Sequence, residues 1–82
     1  FHAGLLQMYG VAAYHLNDAV GALAALELAS LAAPLDALSR LTLADLYART
    51  GFPLAARAAA RFLAEPGRCP LPLMPDLARV LG

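Results

Sequence analysis

Residues 41–64, LTLADLYARTGFPLAARAAARFLA, decide the fold. Leu41, Leu43, Ala44, Leu46 and Tyr47 make the apolar side of one helix. Thr50-Gly51 stops that helix, because glycine tolerates the left-handed conformation just past a helix end. Pro53 starts the next, since a first-turn residue has no intrahelical use for its N–H. Leu54, Ala55, Ala58, Phe62 and Leu63 then follow near helical spacing, and Glu65-Pro66-Gly67 ends the run. The expected unit is a helix-turn-helix hairpin that needs neighbours to cover it.

The rest of the chain extends this pattern. Residues 1–16 carry no Asp, Glu, Lys or Arg, so a helix there is apolar on most sides and belongs against protein or lipid. It is shorter than the roughly 20 residues a bilayer requires, and His2, Gln7 and His15 interrupt it. Burial against protein is therefore expected, with Leu5 and Met8 at the interface. Asp18 is an apt N-cap for a second helix through Val20, Leu23, Ala24, Leu26, Leu28 and Leu31, which Pro34 ends. Asp36 caps a third helix that reaches Arg49. After the fourth helix, residues 66–72 hold three prolines and read as irregular, and a short last helix spans Pro75 to Leu81.

Composition narrows the function. Hydrophobic residues make up 61% of the 82 residues, above the usual share of about 45–50%, and much of the excess is Ala and Leu, which favour helix. The 6 basic and 6 acidic residues balance, which argues against a phosphate-binding surface and so against nucleic acid. They are unevenly placed. Residues 1–36 hold Asp18, Glu27 and Asp36 with no Lys or Arg, whereas all six arginines fall in residues 37–82. Ends of opposite sign are compatible with head-to-tail association, although exposed pairs are individually weak and ordinary variation among so few charges gives the same asymmetry. The one cysteine, Cys69, has no internal partner for a disulfide, so an oxidising compartment is not implied. With no cationic leader segment in view, a cytoplasmic location is expected. A start at Phe1 rather than Met leads us to expect a fragment or a processed product.

The chain also repeats. Asn17 and Gly51 are both turn positions, and the offset between them also carries Ala22 onto Ala56, Ala24 onto Ala58 and Ala25 onto Ala59. The same offset carries Leu43 onto Leu77, Ala44 onto Ala78 and Leu46 onto Val80. Its length resembles that of the tetratricopeptide repeat, a pair of antiparallel helices of about 34 residues. Gly10, Ala22, Ala29 and Pro34 fall on the family's small and closing positions in the first unit. Leu43, Ala44, Tyr47, Gly51 and Ala56 match its signature run in the second. Arg40, Ala13, Ala60 and Arg68 depart from the pattern. The resemblance implies an all-α fold of two antiparallel helical hairpins in a right-handed stack, closed by a short C-terminal helix. In that scheme residues 1–82 form one domain, with repeat one at 3–36, repeat two at 37–70 and a partial third helix at 71–82.

No pattern of residues points to catalysis. His2 and His15 lie far apart without a carboxylate at i+4 from either, and Cys69 stands alone, so neither a metal nor any cofactor is expected. Ser30, Ser39 and Cys69 lack a base and an orienting partner in sequence, and no glycine-rich phosphate loop occurs, so an enzyme is not expected. Arg57 and Arg61 share one face of the fourth helix and read as a solvated outer face. The resemblance implies a concave groove lined by Gln7, Val11, Tyr14 and His15 with Leu41, Asp45, Ala48 and Arg49. Asp45 and Arg49 also read as an i,i+4 surface pair. The function this implies is a protein-interaction module, an adaptor or bacterial chaperone, holding a peptide or helix of a partner protein. The alternative is a structural domain that associates with its own copies or with adjoining repeats of a longer chain. In the repeat register Ala56 sits where the third and fourth helices cross. Ala56→Leu should therefore overpack that contact and lower stability by about 1–3 kcal/mol in chemical denaturation; an unchanged midpoint would rule the register out.

Overall fold

The start of each of the first four helices is written locally. In the computed structural model, which describes residues 2–81, α1 spans Ala3–His15 and begins where the Leu5 N–H donates to His2 Nδ1 (3.3 Å). α2 (Ala19–Ala32) starts with the Gly21 N–H donating to Asp18 Oδ1, and α3 (Ala37–Arg49) with the Ser39 N–H donating to Asp36 Oδ1 at 2.7 Å. α4 (Pro53–Ala64) has no side-chain cap; Pro53 in its first turn replaces one. The proline-rich segment expected to be irregular contains a single 3₁₀ turn, Leu71–Leu73, which runs directly into α5 (Met74–Leu81). The described residues form helices and no strand, and none of these helices is long and apolar enough to cross a membrane.

The helix boundaries recur at the offset that relates Asn17 to Gly51. It separates Ala3 from Ala37, His15 from Arg49, and Ala19 from Pro53. Asn17 and Gly51 themselves are turn residues with positive φ, 63° and 90°. Buried positions recur with them: Gly10 and Ala44, Ala22 and Ala56, Leu26 and Ala60, Ala29 and Leu63. α1 packs on α2 and α3 on α4, while α3 also meets α1, α2 and α5. Being central, α3 is buried continuously from Leu41 to Leu46.

The core is built from small side chains. Ala13, Ala22, Leu26, Ala29, Leu35, Leu43 and Leu46 form one cluster; Leu41, Ala44, Ala60, Leu63 and Leu77 form the other. At the α1–α2 contact a Cβ on Gly10 would come within 2.6 Å of Leu26 Cγ, so a hydrogen is all that fits there. This packing corrects two expectations. On α2 the inward face is Ala22, Ala25, Leu26 and Ala29, leaving Val20, Leu28 and Leu31 exposed. On α4 the inward residues are Ala56, Ala60 and Leu63, while Leu54, Ala58 and Phe62 face out. Alanines let the helix axes approach, and the larger leucines at neighbouring positions are left outside. Phe62 is covered instead by the guanidinium groups of Arg40 and Arg68, 4.0 and 4.1 Å from its ring centre.

Leu5, Met8 and Tyr9 on α1 are likewise exposed, and nothing among the described residues covers them. At the α3–α4 turn, a Cβ on Gly51 would meet no atom within 4 Å, so only its left-handed backbone restricts what can replace it. Gly51→Val should accordingly lower stability by about 1–3 kcal/mol, and Gly51→Asn by much less, because asparagine visits that region readily. Thermal melts of the two variants check this ordering.

Candidate functional site

A helix in the middle of a small core has few faces left for solvent, and α3 keeps one, toward α1. Along it run two clefts. One, of about 370 Å³, is lined by Gly4, Gln7, Met8, Val11 and Ala12 of α1 with Asp36, Leu38 and Ser39. The other, of about 340 Å³, is lined by Tyr14, His15, Leu38, Leu41, Thr42 and Asp45, and by Asp76 and Arg79 of α5. Leu38, 45% exposed, borders both, and the two adjacent clefts together make up the α1–α3 groove.

The groove has an apolar end and a charged end. At the apolar end the Asp36 N–H donates to Gln7 Oε1 (3.0 Å), tying α1 to the start of α3. At the charged end Asp45 is the hub. Its side chain is only 8% exposed. The Tyr14 hydroxyl donates to Oδ2, which Arg49 Nε also approaches at 2.9 Å, and Arg79 Nη1 sits 3.2 Å from Oδ1. Arg49 Nη2 in turn donates to the Tyr14 hydroxyl (3.4 Å), and Arg79 Nη2 lies 3.6 Å from Asp76 Oδ1. A buried carboxylate needs such partners, because desolvating an unpaired charge costs several kcal/mol. Asp45 and Arg49 thus form an i,i+4 ion pair with the carboxylate end buried and the guanidinium end exposed.

The groove collects Gln7, Val11, Tyr14, His15, Leu41 and Asp45, with Arg49 reaching its charged end through Asp45. Leu41 is 5% exposed and belongs mainly to the core cluster with Ala44, Ala60, Leu63 and Leu77. Leu5 stands outside the groove, exposed, and Met8 forms part of its wall. Sequence reasoning missed Arg79 and Leu38. Arg79 stands 34 residues after Asp45, the offset that also relates Asn17 to Gly51, and that spacing was the one signal available for it.

Among the described residues no three His, Cys, Asp or Glu side chains gather as metal ligands would. No family model, curated protein or solved structure matches this chain.

Burial, then the hydrogen bond to Asp45 and its negative charge, raise the Tyr14 pKa above its ordinary value of 10.0; Arg49 and Arg79 oppose that rise. Tyr47 is raised too, by burial and by Glu27. A folded-state pKa above the unfolded one means that the stabilisation is complete below pH 10. It is lost as pH climbs through the folded value, because the unfolded chain gives up its proton first. Urea denaturation should therefore show stability falling above pH 10, and the fall should be shallower in Tyr14→Phe, which keeps only the Tyr47 share.

Proposed function

We propose that this chain is a protein-interaction module whose α1–α3 groove holds a peptide or helix of a partner protein, as an adaptor or chaperone does. The observation carrying this reading is that Leu38 borders two neighbouring clefts, one with an apolar wall of Met8, Val11 and Ala12 and the other beside the charged group around Asp45. A groove with those two ends suits an amphipathic helix, which offers apolar anchors along one face and polar groups at its end. The recurrence of helix starts, turns and buried small residues at one offset supports an architecture of two antiparallel hairpins in a right-handed, tetratricopeptide-like stack, with α5 as a closing helix. Gln7, Val11, Tyr14, His15, Asp45 and Arg49 contact the partner in this reading, and Leu41 supports the groove floor. No cofactor is required, and the location is cytoplasmic.

Fluorescence anisotropy with labelled amphipathic helical peptides of acidic, basic and neutral polar faces tests it. At least one peptide should bind saturably. Leu38→Glu should weaken that binding tenfold or more while leaving the thermal midpoint nearly unchanged, because the side chain is already half-exposed. Absence of binding by every peptide, or binding indifferent to Leu38→Glu, would overturn the proposal.

A further inference from the structure

Two faces lie away from the groove, and they match each other. On α2, Val20, Ala24, Glu27 and Leu31 follow at one-turn spacings and all are exposed, Val20 by 82% and Leu31 by 85%. On α4, Leu54, Arg57, Ala58 and Arg61 do the same, with Leu54 81% exposed. Each stripe sets aliphatic side chains beside charge, of opposite sign on the two helices.

Those charges have no ionic partner among the described residues. Every ion pair among the described residues is made by Asp45, Glu65 or Asp76 with Arg49, Arg68 or Arg79. Among the described residues Glu27 accepts a hydrogen bond from the Tyr47 hydroxyl at 3.2 Å and meets no cation, and Arg57 and Arg61 meet no carboxylate. Surface leucines rimmed by unpaired charge are what an interface requires.

We propose that the occupant is a second copy of this chain, the α2 face of one copy docking on the α4 face of the next. One molecule carries both halves of the complementary pair, so a second copy accounts for both faces together, where a foreign partner would account for one. Pairing like with like fails: two α4 faces would oppose Arg57 and Arg61 to themselves. The contact therefore pairs unlike faces, and it runs head to tail where a copy uses its two faces on different neighbours. The net charge of zero leaves no long-range repulsion between copies. One helix laid on another falls at the small end of specific interfaces, below about 1,200 Å² in total, so the association is reversible and concentration-dependent.

Sedimentation of the wild-type chain from micromolar to millimolar concentration should show the mass rising above the 8.5 kDa monomer and falling back as salt is added. Two variants then separate the faces. Glu27→Arg with Leu31→Arg spoils the α2 face; Leu54→Gln with Arg61→Gln spoils the α4 face without giving it a charge that attracts the first. All four positions are exposed, and circular dichroism confirms that each variant is folded. Each alone should stay monomeric, and an equimolar mixture should form a dimer and nothing larger, because one good face remains on each molecule. Should either variant fail to fold, Leu31→Cys and Leu54→Cys, each in a Cys69→Ser background, replace the pair. Oxidation should then cross-link the mixture to a heterodimer faster than either variant to itself. A wild type monomeric throughout, a single-face variant that still dimerises, or a mixture that fails to pair would each overturn the proposal.

Discussion

Asp45 is held from three helices at once, and that is the constraint on which the groove depends. Its carboxylate takes a hydrogen bond from Tyr14 of α1 and pairs with Arg49 of α3 and Arg79 of α5. A carboxylate so enclosed is stable only while its partners stay in place, since removing one leaves a buried charge short of a donor. The positions of α1, α3 and α5 are consequently linked through one side chain. Both arginines remain more than half exposed, so solvent screens their attraction, and the hub's main effect is geometric. It shapes the charged end of the groove and raises the pKa values of Tyr14 and Arg79.

How much of this was legible in the sequence depended on whether the cause was local. Asp18 and Asp36 sit three residues before the N–H groups they cap, and Gly51 adopts the positive φ that its place after Thr50 suggests. The starts of α2, α3 and α4 follow from such signals. The burial of Asp45 does not. Viewed along one helix it has Arg49 one turn away, as a solvent pair would; the partners that enclose it come from elements 31 and 34 residues distant. α5 begins at Met74, one position before the proline that suggests its start, while the 3₁₀ turn ahead of it is hidden by prolines that also suit irregular chain.

The faces of α2 and α4 escape a sequence reading for a different reason. Hydrophobic periodicity ranks leucine above alanine, so the stripe with the most leucines reads as the inner one. Close helix contacts reverse that ranking, because the side chain that fits between two backbones is a small one. Gly10 against Leu26 is the extreme case, with no room for even a Cβ. Alanine-rich inner faces then leave Val20, Leu31 and Leu54 on the outside, and the high apolar fraction of the chain becomes surface as well as core.

The segregation of charge can be followed to the same level. Asp18 and Asp36 are placed by the helices they start, since an N-cap acceptor must stand where the first free N–H groups point. Glu65 and Asp76 each pair with an arginine three residues on. Asp45 is bound into the groove, and Arg40 and Arg68 lie against Phe62. Every one of these charges has a task within the fold. Glu27, whose side chain makes only the long contact to Tyr47 among the described residues, and Arg57 and Arg61, which enter no ion pair there, stand apart. A helix surface that needed charge for solubility alone would have no reason to keep one sign on α2 and the other on α4, each beside fully exposed leucine. The charges that the fold leaves unexplained are thus the ones that lie on its exposed apolar faces.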